Sequence, residues 1–336
     1  MGVGVQSYAP YRTALLSWDD VRQLQQLRPS RVVRDTFFGW LGILCGFGLV
    51  WAIPEWYTVA IAIPLIGTRY YSLLIVAHDG LHRRLFNSPK TSNLWNDVFI
   101  IGAVGAITRL NRRNHMTHHG LLATPLDPDR YKYVGGNKTS RMRFLLVLTG
   151  LPYVLRAVGN VFLGSKTPNA KRKANDTRES GKPMGYTTRD IAILVGWQVA
   201  LVGGLTWSIG WWAYPTLWLV PVYCFGYVAD IVRVFCEHSV MGNDDDADRT
   251  IRLISFVSNP VERQFFAPHN MNCHIAHHLW PSIPYYNLPE TERRLRQALH
   301  GDATSLVWRE SYVKYLFGYW RWLGQLPPPV ECANAR

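Results

Sequence analysis

The stretch YYSLLIVAHDGLH, residues 70–82, carries an apolar run straight into two histidines four positions apart. The run extends back to residue 57 and is broken only by Pro64 and Arg69, so residues 57–77 suffice for one membrane span of about 20 residues. Residues 36–53 form a second, nearly uncharged run ahead of it, and the connection through Pro54, Glu55 and Trp56 holds no Lys or Arg. Residues 191–210 and 212–230 repeat the arrangement, joined at Gly210, Trp211 and Trp212, again without a basic residue. Loops poor in Lys and Arg face away from the cytoplasm. Trp51, Trp56, Tyr57, Trp211, Trp212 and Tyr214 fall at these tips, where amphipathic rings favour the membrane interface. The expected fold is an all-α membrane protein with four transmembrane helices in two hairpins, both termini cytoplasmic, and a helical cytosolic cap.

Two further apolar segments are expected to lie in the interface rather than cross. Residues 94–108 are short and start with Asn96 and Asp97; residues 143–164 hold Pro152 and Arg156. A fifth span at 143–164 would invert everything after it. Residues 165–190 read as an exposed linker rich in Lys, Arg, Asn, Gly and Ser. The chain thus divides into a cytosolic N-terminal segment (1–35), a membrane domain (36–295) and a cytosolic C-terminal segment (296–336).

Composition agrees with a few spans and a large water-facing part: 48% of the 336 residues are apolar, yet mean hydropathy is only -0.05. The net charge of +13 is concentrated at 28–34, 109–113 and 166–173, each beside an apolar segment, which is the positive-inside pattern. No zinc-finger or helix-turn-helix signature points to a nucleic-acid partner. The five cysteines form no C-x-x-C pair and suggest neither a disulfide framework nor a thiolate metal site. The first 35 residues lack the apolar core of a secretory signal. The acidic run Asp244-Asp245-Asp246 reads as a solvated loop, and His300 as a surface residue.

Eight of the eleven histidines fall in three clusters: His78 and His82; His115, His118 and His119; His274, His277 and His278. On a helix, positions i, i+3 and i+4 share a face, so each cluster aims two or three imidazoles at one point. Neutral imidazole ligates iron or zinc and keeps its second nitrogen for an orienting hydrogen bond. Eight imidazoles exceed the needs of one tetrahedral zinc and suit two metals with open positions. Carboxylates are too few for the Glu-x-x-His site of a soluble bundle. Under the topology above, all three clusters meet at the cytoplasmic membrane surface.

The ordered set HDGLH, HMTHH and HIAHH resembles the integral-membrane fatty acid desaturase superfamily, which also includes membrane hydroxylases, epoxygenases and carotenoid oxygenases. The stretch Thr124-Pro125-Leu126-Asp127-Pro128-Asp129 is similar to a T-P-x-D-P-D motif of bacterial members. So is Asn270 to Pro281, with Ile283-Pro284 and Leu288-Pro289-Glu290 after it. The resemblance covers about residues 35–295 and is nearest to bacterial acyl-lipid desaturases. It implies a four-span fold with a cytosolic cap holding two non-haem irons, and a ninth histidine ligand after the fourth span, where Glu237-His238 stands. Many relatives carry Glu at the position of Ala276, which would act on a ligand rather than bind metal.

The implied chemistry uses dioxygen and two electrons to desaturate a fatty acyl chain, lipid-linked and held in the bilayer. The same site, inserting oxygen, would make a hydroxylase of an acyl chain, a carotenoid or an amino-acid-derived metabolite. A His-rich metal transporter would need ionisable residues along several spans, and these spans are almost free of them. A scaffold stapled by metal clips would not need so many ligands. Asp79, Glu237, Asp230, His269, Asn270 and Asn272 are candidates to orient the imidazoles. Arg69, a charge within a span, is a candidate for an anionic substrate head or for snorkelling to the surface. There is no flavin or nicotinamide glycine fingerprint and no H-P-G-G haem signature. Electrons are therefore expected from a separate carrier, a ferredoxin or a cytochrome-type protein with its reductase. The basic cap would attract either an acidic carrier or anionic lipid.

Overall fold

The computed structural model describes residue 12 and residues 15–134, 140–162, 185–241, 252–299 and 306–325. Residues 165–184 of the expected linker, Asp244-Asp245-Asp246, His300 and Cys332 lie outside the described residues. The chain is mostly helical. In order come α1 (Trp18–Leu24), α2 (Pro29–Ala52), α3 (Trp56–Leu81), α4 (Pro89–Phe99), α5 (Thr108–Leu121), α6 (Arg130–Tyr133), α7 (Arg141–Leu148) and α8 (Leu151–Phe162). Then follow α9 (Thr188–Ser208), α10 (Pro215–His238), β1 (Ile254–Phe256), α11 (Pro260–Phe266), α12 (His274–Leu279), α13 (Leu288–Ala298), β2 (Val307–Arg309) and α14 (Tyr312–Leu323).

Among the described residues, four helices are long and apolar enough to cross a membrane: α2, α3, α9 and α10, of 24, 26, 21 and 24 residues. At about 1.5 Å per residue each covers the roughly 30 Å of a hydrocarbon core. All four differ from the expected spans at their ends. Helix α2 begins earlier, at Pro29, whose missing N–H costs nothing in a first turn. Helices α3 and α10 run on through His78 and His238, so these residues are the last turns of the spans rather than loops beyond them. Helix α10 contains two π-helical turns, Pro215–Leu219 and Val222–Tyr227, around Pro221, which removes one backbone donor.

Small residues let the spans approach. Helices α2 and α3 run antiparallel, with Gly39 against Leu73, Gly42 against Arg69 and Gly46 against Ile66; a Cβ at these glycines would stand 2.4–2.6 Å from the facing side chain. Gly67 of α3 receives Phe225 of α10 in the same way. Helix α9 is peripheral, and Val195, Val199, Val202 and Trp207 on it are exposed. So are Phe37, Phe38, Leu41 and Leu44 on α2. Apolar surface on this scale suits lipid rather than water. Trp51, Trp56, Tyr57 and Trp211 are exposed at the tips, while Trp212 and Tyr214 are partly buried against the core.

The segment 94–108 is not one helix. It is the end of α4, a 3-10 turn over Ile101–Val104 and a reversal at Gly105, where φ is +76°. The polar start of the segment explains the break. Asn96 turns inward and donates to the Ala77 carbonyl at 3.1 Å, and Asp97 accepts from the Thr108 N–H at 2.7 Å while pairing with Arg189 at 3.0 Å. Side chains satisfy the freed carbonyls: Trp197 donates to Val98, Trp40 to Phe99 and Gln198 to Ala103. The segment 143–164 is likewise split, into α7 and α8, at Gly150 with φ +69°. Neither piece reaches spanning length.

A parallel strand pair, Ile254↔Val307 to Phe256↔Arg309, was not expected in an all-α reading. Three residues per strand carry little sequence periodicity. The pair delivers the chain to α14, which packs on the end of α10.

Adding one methyl at Gly46 should cost about 1–3 kcal/mol of stability through overpacking against Ile66. Gly48, with open space around its Cβ position, serves as control. Thermal unfolding in detergent of Gly46→Ala and Gly48→Ala checks this: the first should melt lower, the second should not.

Candidate metal centre

The ends of three helices and one short helix converge on one region. His78 lies in the last turn of α3 and His82 at its C-cap. His115, His118 and His119 project from α5, His238 ends α10, and α12 supplies His274, His277 and His278. The clusters separated by up to 200 residues thus meet. The ring nitrogens of His78, His82, His115, His119 and His277 lie within 4.8 Å of one another, and those of His118, His238 and His278 form a second such group. His274 joins beside the second, its Nε2 3.0 Å from Nε2 of His238.

The nitrogens face one another. Nε2 of His115 is 2.8 Å from that of His82 and 3.1 Å from that of His119, which is 3.1 Å from Nε2 of His277. Nδ1 of His78, His119 and His277, and both ring nitrogens of His278, are buried without a hydrogen-bond partner. Buried polar atoms are normally paired. Nitrogens each about 2.1 Å from a shared cation would be spaced at roughly these distances. The donor set therefore fits metal, and its division into two groups fits two ions.

Burial pushes the imidazoles of His115, His119, His274, His277 and His278 far below their ordinary pKa, helped by neighbouring rings. His82 is pushed down to about 3 by burial and by the charges of Arg112 and Arg84. They are neutral at physiological pH, the state a ligand requires.

Polar groups hold several rings from behind. Asp127 accepts from His118 Nδ1 at 3.0 Å, and is itself held by the Tyr133 hydroxyl and the Asp129 N–H at 2.8 Å. His238 Nδ1 donates to the Arg252 carbonyl at 2.8 Å. Glu237 stands 3.2 Å from His274 Nδ1, without the alignment of a hydrogen bond. That carboxylate is fully buried, and is fixed by Arg233 at 2.6 Å and the Tyr312 hydroxyl at 2.8 Å. Such partners set the tautomer, leaving Nε2 for the metal.

Other expected partners are engaged elsewhere. Asp79 accepts from the Tyr285 N–H at 2.7 Å. His269, at φ +52°, bonds Ser72 Oγ at 2.7 Å, while Asn270 donates to the Tyr285 carbonyl and Asn272 to the Phe256 carbonyl. These residues shape the loop before and after the third cluster rather than backing an imidazole. Asp230 pairs with Lys132 and Arg233 at 2.9 Å. Arg69 packs over Gly42, its Nε buried and unpartnered. Of the groups behind the rings, Asp127 was visible in its T-P-x-D-P-D context but was not singled out. Tyr133, Tyr312 and the Arg252 carbonyl carry no local signal.

A cavity of about 350 Å³ reaches the histidines. Its walls include His78, His115, His118, His238 and His278, apolar Leu74, Ala77, Leu81, Ile101 and Val234, and a charged edge of Asp129, Lys132, Asp230 and Arg233.

With this geometry in view, the comparisons with known proteins are specific. The family model described as fatty acid desaturase matches residues 54–309. The chain belongs to that family and is a membrane oxidoreductase. It is 27% identical over 307 residues to an sn-1 acyl-lipid omega-3 desaturase (ferredoxin) of Synechocystis, covering 83% of this chain and 80% of that one. It is 25% identical to the chloroplastic omega-3 fatty acid desaturase of Ricinus communis, covering 78% and 57%. It is 23% identical to the dihydrorhizobitoxine desaturase of Bradyrhizobium elkanii, covering 90% and 87%.

Asp127→Asn should lower metal affinity by about 10–100-fold, read as metal content after dialysis against a chelator. Acidification should weaken the metal-free fold. The folded imidazoles hold fewer protons than unfolded ones, so their contribution is present above about pH 6.5 and is lost as pH falls toward their lowered values. The unfolding midpoint of metal-free protein should drop between pH 7.5 and 5.5.

Proposed function

We propose that this protein is a di-iron acyl-lipid desaturase whose two irons are bound by His78, His82, His115, His118, His119, His238, His274, His277 and His278. The observation that carries the reading is the meeting of eight of these imidazoles in two groups of five and three, with His274 beside the second and Nε2 atoms turned toward one another at about 3 Å. Two hairpins, α2 with α3 and α9 with α10, cross the inner membrane, and their Lys/Arg-free tips face away from the cytoplasm. The cap, the N-terminal segment 1–35 and the C-terminal segment 296–336 are cytoplasmic, flanking a membrane domain over 36–295. The donor is a separate ferredoxin, the donor that the omega-3 desaturases of Synechocystis and Nostoc carry in their names.

Bound there, two ferrous ions with dioxygen supply the oxidant that removes hydrogen from an unactivated carbon. The balance is one acyl chain, one dioxygen, two electrons and two protons to one alkene and two waters. This chain's residues do the rest. Leu74, Ala77, Ile101 and Val234 hold the acyl segment beside the histidines and keep bulk water out. Asp127 orients His118, and Glu237 sets a carboxylate 3.2 Å from His274 Nδ1. The paired charges of Lys132, Asp230 and Arg233 close the polar edge of the cavity.

Lipid analysis of expressing cells supplied with dioxygen and a reduced ferredoxin tests this. A new carbon–carbon double bond is expected with the native chain and none with His118→Ala. An alcohol in place of the alkene would make the protein a hydroxylase. Purified protein carrying about one zinc and no iron would overturn the di-iron reading.

A further inference from the structure

The cavity with apolar walls is not the only approach to the histidines. A separate cleft of about 740 Å³ opens on the other side of the first cluster, lined by Gln25, Gln26, His82, Arg83, Arg84 and Asn87 among others. His82 lines this cleft and is absent from the walls of the apolar cavity, whereas His78, His115 and His118 line the cavity and not the cleft. The ring of His82 is half-buried, and its Nε2 points to His115 inside the five-histidine group.

Arginines border this ring. Arg84 lines the cleft with it, and Arg83 adjoins it in sequence. Arg84 donates to the Gln25 carbonyl at 2.5 Å, and Arg112 to the Leu81 and Gly80 carbonyls and to Asn93. Among the described residues no carboxylate lines the cleft or ion-pairs with Arg83, while the charges of Asp79 and Asp97 act on Arg84 and Arg112 from inside the protein. Several other arginines do carry a carboxylate partner: Arg293 and Arg294 have Glu290, Arg296 has Glu292, Arg109 has Asp190 and Arg189 has Asp97. An exposed arginine without an ion pair, Arg83, thus lines the same cleft as a partly buried imidazole of the five-histidine group.

We infer that the cleft formed by Arg83, Arg84 and residues 25–26 is the docking surface for an acidic one-electron carrier protein, and that electrons enter the metal centre through His82. The inference rests on the di-iron reading above. Complementary charge raises the encounter rate of such a pair and fixes its orientation. The cleft is set apart from the apolar cavity, so a donor can bind while the acyl chain is in place. Two reduced carriers bind in succession; each is oxidised by one electron, and together they supply the two electrons of the balance above. The side chain of Arg83 is exposed and makes no hydrogen bond among the described residues, so it can face a partner.

The test compares the iron-loaded native chain, Arg83→Glu and Lys314→Glu, a charge reversal at an exposed site on α14. Each is supplied either with a reduced [2Fe–2S] ferredoxin or, for a single turnover, with dithionite. Arg83→Glu should raise KM for ferredoxin by about tenfold with kcat within twofold, and flatten the dependence of kcat/KM on ionic strength. Its iron content and its dithionite-driven product should match the native chain, and Lys314→Glu should behave as native. An unchanged KM in Arg83→Glu, or an equal rise in Lys314→Glu, overturns the docking surface while leaving the enzyme reading intact. An unchanged KM with weakened flotation on phosphatidylglycerol vesicles overturns it in favour of a lipid contact. Product with dithionite but none with ferredoxin, in the native chain, overturns the donor assignment itself. Absence of iron-dependent product in both arms overturns the function on which the inference rests.

Discussion

Nine imidazoles brought together with their lone pairs turned inward cannot be left to themselves. Nε2 atoms about 3 Å apart, with several Nδ1 atoms buried and unpaired, form a set of polar groups whose desolvation nothing in the protein offsets. The rest of the molecule is arranged so that this cluster, whose donor set fits metal, forms at the ends of the helices. Helices α3 and α10 end at the cluster, α5 and α12 are short and confined to it, and the groups behind the rings are buried with their own partners satisfied.

That constraint explains where the polar residues of the spans lie. Asp79, Asp230, Arg233 and Glu237 all sit in the final turns of α3 or α10, on the side of the cap. Farther along, contact between helices is made by glycine against Leu, Ile, Phe and the aliphatic stem of Arg69. Apolar packing between small residues holds the helices together where lipid offers no hydrophobic driving force, and apart from Arg69 the charged residues of α3 and α10 lie in the final turns. The guanidinium of Arg233 there bonds Tyr71, Glu237 and Asp230 together.

Segments outside the family match close the site from both ends. The match covers residues 54–309. Ahead of it, Asp35 accepts from Tyr285 at 2.6 Å, Gln25 donates to Ser282 at 2.6 Å, and the Leu24 carbonyl accepts from Asn287 at 2.7 Å, pinning the loop that follows the third histidine cluster. Beyond it, α14 brings Tyr312 to Glu237 and Tyr315 to Ser239. The histidine cluster thus depends on contacts spread over the chain, while its imidazoles lie in a few short motifs.

What the sequence by itself determined is the part carried by local pattern. Four apolar runs of spanning length, basic residues beside them, and imidazoles at i, i+3 and i+4 are properties of adjacent residues, so the spans and the eight clustered histidines were legible from composition and spacing, and His238 from its likeness to a known family. The tertiary structure decided what depends on residues far apart. It broke 94–108 and 143–164, because Asp97 had a helix start to cap and Gly150 could take a positive φ. It gave His269, Asn270 and Asn272 to a loop, and placed Asp127, the Arg252 carbonyl and Tyr312 behind the rings or their carboxylates. A hydrogen bond across tens or hundreds of residues leaves no periodic trace, because its partners are chosen by where helices end in space and not by their neighbours in the chain.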